Sequence, residues 1–476
     1  MSITTALSSA LSGLTVTSRG VENTANNIAN ALTEGFARRE LEVSARAYGG
    51  EGQGVRVVGV DRIIDMTLVG DRRLADATTG DRNTRSAFYA TVAKVVGDTA
   101  EGSLLSRITD LSAALASAAS RPESTVRLQD VLDKAQALAS GLNAASDAVL
   151  TARRDADASI ADQVDQLNAG LERVRDLNLR ITRLRVTGRD SSALEDERQR
   201  VVDSMATIVP LREIERENGQ IALFTTGGAA LLDGRVADIG FTPTPGLVSA
   251  SSSLGGLTMN GRPIGVPGDP GLMDGGSLSA AFAVRDTLAP NEQQRLDMLA
   301  QDLIERFTAA DSSLSAGDAG LFTDDGLAFD AANTRGLAGR ISVNGSVDPE
   351  QGGALRYLRD GLQSPGGSTG DGTLFNAMSA ALDRRVVYSP ADIEGSFSFA
   401  GLATEIVSSL SSSLLSADRE ASFASARRDE LQVLVLGDGV DTDKELEQLL
   451  LLERAYAANA KVVTACDALL QYLLEM

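Results

Sequence analysis

The placement of proline does most to limit what this chain can become. All eleven prolines lie between Pro122 and Pro390, and Pro243, Pro245, Pro263, Pro267, Pro270 and Pro290 crowd one stretch. A proline ring removes a backbone donor and clashes with the preceding helical turn, so both ends are free to run as continuous helix while the middle is punctuated. At the first end Ile3, Leu7, Ala10, Leu14, Thr17, Val21, Thr24 and Ile28 recur at steps of four and three, one seam of a helix with a coiled-coil period. The last end carries the same period in Leu449, Leu452, Tyr456, Asn459, Val463, Cys466, Leu470 and Leu473. It follows Gly437 and Gly439 and opens on the acidic run DTDKE, which suits a helix N-terminus. Two seams of equal period can zip together; each can equally be the core-facing stripe of a globular helix.

Between the ends the pattern is predominantly helical. From Pro122 to Gly188 no further proline occurs, and apolar residues keep the helical period from Leu128 to Leu184. An uninterrupted helix here would be about 90 Å long, with Gly141 and Gly170 as possible breaks. Further helical patterns cover 277–311, about 375–386 and about 399–436. The expected fold is mainly α: an elongated, discontinuous, multi-domain rod with its terminal helices paired as a coiled coil.

The β signals are fewer. GQGVRVVGVDRI follows glycine turns and alternates in part, so it pairs as a hairpin with RRELEVSAR. A second group has Asn218-Gly219 between two strand-like runs, a hairpin turn, and leads into the Pro/Gly/Ser stretch 242–276. The expected organisation is a terminal helical unit (1–40 and 441–476), a helical body with a β-hairpin (41–208, 277–312 and 375–440), and a smaller β-rich insertion (209–276), with 313–374 as its candidate partner.

Composition removes most chemistry. The chain has no histidine, which excludes Ser-His hydrolases and His-based zinc sites, and one cysteine, Cys466, which suits packing better than nucleophilic catalysis. With 44 Lys and Arg against 65 Asp and Glu, the net charge of −21 repels nucleic acid and anionic lipid. The glycines of GGEGQG lack dinucleotide-loop spacing, and DGVDTDKELE has Leu446 where a calcium loop needs glycine. FTDDGLAFD fails similarly. No catalytic, cofactor or metal site is expected. The N-terminus has no basic residue before Arg19 and no continuous apolar run, so no secretory signal is legible, and on generic grounds the chain reads as cytoplasmic.

One oddity remains. Asn23, Asn26, Asn27 and Asn30 interrupt the first helical pattern, although asparagine competes with the backbone for hydrogen bonds. The run Ala25 to Asn30, then Thr33, Gly35 and Phe36, resembles the N-terminal signature of bacterial flagellar axial proteins, the rod, hook and hook-associated family. GQGVRVVGVDRIIDMTLVGDRR resembles the stretch that follows it there. The C-terminal run with Gly439, Val440, Glu445, Leu446, Leu449, Tyr456, Ala458, Asn459, Ala460 and Asp467 resembles the family's terminal helix. GGSLSAAFAVRDTLAPNEQQRLDMLAQDLIERF resembles the internal helix pair of the hook-associated members, and the helical middle favours them over the hook and rod types. Leu32, Glu34 and the run Leu450 to Leu452 depart from the family pattern.

The resemblance implies a structural protein of the hook–filament junction, exported unfolded by the flagellar type III apparatus to the cell exterior; it replaces the cytoplasmic reading. It implies terminal segments that order on assembly. The implied partners are identical copies in a ring, the hook protein, a second junction protein and an export chaperone, with no cofactor, nucleic acid or membrane. The expected assembly residues are Ile3, Leu7, Leu14, Val21, Asn26, Asn27, Ile28, Asn30, Gly35, Phe36, Leu449, Leu452, Tyr456, Asn459, Val463, Leu470 and Leu473. On this view the asparagine amides bond neighbouring subunits and line a polar channel; the alternative is that they cap and end a helix, the favoured reading for Asn30. Other readings are a hook or rod type of axial protein, a secreted helical adhesin or effector, and last an enzyme hidden in the insertion.

Overall fold

The computed structural model describes residues 3–33, 35–48, 51–97, 102–244, 254–265, 271–388 and 393–475. Gly49 and Gly50 of the glycine turn, and Pro245, Pro267, Pro270 and Pro390, lie outside them. The chain opens with α1 (Ile3–Asn30), the uninterrupted helix that its proline-free sequence allows. Strands β1 (Arg38–Tyr48) and β2 (Glu51–Ile63) follow as the expected antiparallel hairpin, Arg38 opposite Ile63. A register slip between Glu42 and Val43 leaves Val58 as a bulge. β2 lies along α1, where the Val55 N–H donates to Ser12 Oγ at 3.1 Å. Gly54, at φ +95°, permits this approach: a Cβ there would stand 2.0 Å from Ser12 Oγ.

Helix α2 (Met66–Val96) starts at Asp65, whose carboxylate accepts from the Thr67 and Leu68 N–H groups, and α3 (Leu104–Ser120) is capped by Ser103. The next helix, α4 (Thr125–Val186), is 62 residues long and continuous. Gly141 and Gly170, expected as possible breaks, lie inside it and serve close packing. A Cβ on Gly141 would meet Arg107 Cδ at 2.9 Å, and one on Gly170 would meet Met205 Sδ at 2.4 Å. The seam from Leu128 through Ile181 is buried along almost its whole length, as its period requires. Helix α5 (Ser192–Ala206) turns back against its C-terminal end.

The insertion then begins. Strands β3 (Leu211–Glu215), β4 (Ile221–Thr225), β5 (Ala230–Asp233) and β6 (Arg235–Val236) form one antiparallel sheet. Asn218 and Gly219, at φ +55° and +74°, make the expected turn between β3 and β4. Short strands β7 (Ile239–Gly240), β8 (Thr258–Met259) and β9 (Arg262–Pro263) form a second sheet. The chain returns through α6 (Gly276–Ala283), a π-helical segment Val284–Leu288, and α7 (Ala289–Ala310). Beyond lie β10 (Phe322–Asp324), β11 (Ile341–Val343), α8 (Arg356–Asp360), α9 (Thr373–Asp383), β12 (Val386–Tyr388) and β13 (Gly395–Phe397). Helix α10 (Phe399–Gly437) runs along α2, and α11 (Thr442–Leu474) packs along α1.

Two hydrophobic cores share α4. The first gathers α3, residues 128–156 of α4, α7, α9 and the start of α10; the second gathers residues 160–174 of α4, α5, α6 and the insertion sheets. Residues 313–374 were expected beside the insertion. They pack instead on the first core, through Leu321, Phe322, Leu337, Ile341, Val347 and Leu358, because their apolar residues face α7 and the N-terminal half of α4. Between the cores sits a buried ion pair. Asp157 of α4 meets Arg285 of the π segment at 2.8 Å, each about 97% or more buried at its side chain. Arg285 also bonds Asp286 and lies 4.7 Å over the Phe282 ring.

Candidate functional site

The two ends form an antiparallel pair. Gly13 faces Asn459 and Gly20 faces Leu452, with Cβ positions that would fall 2.7 and 2.9 Å from those side chains. Asn27 bonds Glu445. Successive contacts step by seven along each helix in opposite directions, which is a coiled-coil register. The next step lands on Cys466, which is buried, in keeping with a packing role.

Ala10, Thr17 and Thr24 of the expected seam are buried, but its centre is shifted away from the large apolar residues toward Gly20 and Asn27. Its buried centre is Ala10, Thr17, Gly20, Thr24 and Asn27, while Ile3, Leu7, Leu14, Val21 and Ile28 are half-buried on its flank. Small residues occupy the centre because they let the backbones approach closely and leave holes for Leu452 and Asn459. On α11, Leu449, Leu452, Asn459, Val463 and Leu470 are half-buried toward the pair. Tyr456 and Leu473 are 48% and 60% exposed and lie outside the seam. They belong to a wider uncovered apolar surface with Leu446, Leu450, Leu451, Val462, Leu469 and Tyr472.

The asparagines make their bonds within the chain. Asn27 Nδ2 donates to the Arg39 carbonyl at 2.9 Å and to Glu445 Oε2 at 3.1 Å, and its Oδ1 accepts the Arg39 N–H at 3.0 Å. Asn23 Nδ2 donates to the same carbonyl at 2.8 Å. Within the chain these amides therefore staple the first helix to the hairpin and to the last helix. Asn26 and Asn30 bond each other, Asn30 Nδ2 donating to the Asn26 carbonyl and Oδ1 at 2.9 and 2.6 Å, which finishes the last turn of α1. Gly35 and Phe36 form the exit. A Cβ on Gly35, at φ +74°, would stand 2.4 Å from Arg200 Cγ, and the Phe36 ring lies 4.8 Å under the Arg39 guanidinium.

Charged groups extend this joint into the body. Arg38 Nε pairs with Glu445 Oε1 at 2.7 Å, whereas Arg39 pairs with Asp196 of α5 at 2.8 Å. Arg62 of β2 pairs with Asp196 at 2.9 Å and approaches Glu195 at 3.8 Å. Burial pushes the Glu195 carboxyl up, but the Ser191 hydroxyl, Arg185 and Arg62 outweigh it and hold the group below its usual range. Asp441 caps α11, and the N–H groups of Lys444 and Asp443 hold its carboxyl low. Sequence reasoning missed Gly13, Gly20, Arg38, Arg39 and Asp196. The glycines carry a signal, being seven apart, as are Leu452 and Asn459.

Among the described residues no group of three or more His, Cys, Asp or Glu is placed to hold a metal, and no helix is long and apolar enough to cross a membrane. The sequence model of the flagellar hook-associated protein FlgK helical domain matches residues 89–315, and that of the flagellar basal body rod FlgEFG protein C-terminal region matches 435–476. A solved flagellar hook junction protein, FlgK from Burkholderia pseudomallei, aligns over 53% of this chain and 46% of its own at 20% identity, with a TM-score of 0.43. Flagellar hook-associated protein 1 of Escherichia coli (strain K12) is 24% identical over 48% of this chain and 43% of its own length. Flagellar hook-associated protein 1 of Bacillus subtilis (strain 168) is 22% identical over 98% of this chain and 96% of its own. With the helical-domain match inside the body, the rod-type match on the last helix and a relative aligned nearly end to end, the chain is similar to flagellar hook-associated protein 1 along nearly its whole length.

Proposed function

We propose that this chain is a structural subunit of the hook–filament junction, which self-assembles at the hook tip through its terminal helix pair. One observation carries the reading: α11 spends one face on α1 and leaves a second apolar surface, including Leu451, Val462, Leu469 and Tyr472, open. An exposed surface of this kind is suited to burial against other subunits. Its neighbours are identical copies in a ring, the hook protein on one side and a second junction protein on the other. The chain reaches this extracellular position unfolded through the flagellar type III apparatus, with a chaperone on the C-terminal helix beforehand. A lone cysteine, which leaves no intrachain disulfide to form, suits that route.

The domain division serves the same role: the terminal pair assembles, the body forms the subunit's bulk, and the insertion decorates it. Deleting residues 446–476 tests the proposal in the source bacterium. Cells that build hooks, lose motility and leak filament protein into the medium are expected. Motile cells with intact filaments would overturn it.

A further inference from the structure

We propose that Glu445 is a docking key that couples closure of the terminal helix pair to the orientation of that pair on the helical body. Glu445 sits on the first turn of α11 and is 1% exposed. Its two carboxylate oxygens take different donors, Oε1 accepting from Arg38 Nε at 2.7 Å and Oε2 from Asn27 Nδ2 at 3.1 Å. The same Asn27 holds both backbone groups of Arg39. Adjacent residues of a strand point to opposite faces, so Arg38 turns toward the terminal pair while Arg39 turns toward α5. There Asp196 takes the Arg39 guanidinium at 2.8 Å, Arg62 at 2.9 Å and the Ala37 N–H at 3.4 Å. The start of β1 is thus a bar gripped by the last helix on one side and by the body on the other.

The key also fixes register. The glycine holes at 13 and 20 and their knobs at 459 and 452 repeat every seven residues, so apolar packing alone tolerates a slip of one heptad. A slip that carries Glu445 toward Gly20 would bury a carboxylate away from Arg38 and Asn27, and an unpaired buried charge is strongly disfavoured. When α11 leaves α1, Arg38 and the Asn27 amide lose their shared acceptor, and the bar is held only by α1, through Asn23 and Asn27, and by the body.

Hydrogen exchange on the full-length chain tests this without reference to the flagellum. Because the Ala37 N–H donates to Asp196 and the Arg39 N–H to Asn27, itself held by Glu445, their exchange reads the body grip directly and the last-helix grip through Asn27. In Glu445→Ala, exchange at 37–41 and 194–199 is expected to accelerate at least tenfold while amides 448–470 keep their parental protection. Glu445→Gln, which retains an acceptor for Asn27, gives a smaller acceleration at the same amides. Asp196→Asn accelerates 37–41 and leaves 448–470 unchanged. If Glu445→Ala releases α11 outright, the Glu445→Gln reading decides. Parental protection at 37–41 in the deciding variant, or no protection there in the parent chain, would overturn the proposal.

Discussion

Gly20 and Leu452 set how near the terminal helices can come. Gly20→Val would place side-chain carbon within the 2.9 Å that separates its Cβ position from Leu452 Cδ2. Such overpacking costs about 1–3 kcal/mol, and faster exchange along both helices in the parent background is the expected readout. Glu195 carries a pH dependence. Its folded value is depressed, so the stability it supplies is fully present above its unfolded value of about 4.3 and is lost as pH falls through the lower folded one. Amides of α5 should lose protection below about pH 4.3, and Glu195→Gln should flatten that response; an unchanged acid profile would count against the assignment. At this scale the asparagines were visible in the sequence as an anomaly. Their partners were not, because Arg39 lies 12 residues from Asn27 and Glu445 lies 418 away, beyond any local pattern.

Periodicity made the helices that show one face to a core legible. The seam of α4 was readable from Leu128 onward for this reason, and the hairpin turn at Asn218-Gly219 from its residue pair. Helix α2 carries no such signal. It is packed between α10 on one side and α6 and α4 on the other, and it buries Arg72 and Arg73 among its alanines. Arg73 pairs there through Nε with Asp203 at 2.6 Å and through Nη1 with Glu213 at 2.7 Å, contacts that no composition rule anticipates. The offset of the terminal seam has a related cause: large apolar residues mark a stripe's position only roughly when its centre is glycine, alanine and threonine. For α4 the glycines offer a test. Alanine normally favours a helix over glycine by about 1 kcal/mol, yet Gly170→Ala should destabilise, because its Cβ would press on Met205. Adding Met205→Ala should remove most of the Gly170→Ala penalty in a double-mutant cycle read by chemical denaturation.

The whole molecule is organised by one helix that runs through two cores, and sequence could count the apolar residues of each without assigning the excursions between them. The segment 313–374 was misplaced because its short strands and turns look like those of the insertion, and only its apolar partners on α7 and α4 separate them. The Asp157–Arg285 pair marks the boundary. Asp157→Ala would strand Arg285 Nη1 and the Thr244 N–H, which donates to Asp157 Oδ2 at 2.7 Å, and breaking a buried pair in this way costs about 3–5 kcal/mol. Thermal unfolding of the variant should show a lowered midpoint, with both cores affected since α4 belongs to each.

The unbroken α4 has a mechanical consequence. A strut without a kink passes a pull or a twist from end to end with little give, so a load applied to this molecule concentrates its bending where the chain crosses between the terminal helices and the rest, after Asn30 and before Thr442. Compliance is thereby greater at that articulation than along the continuous helix beside it.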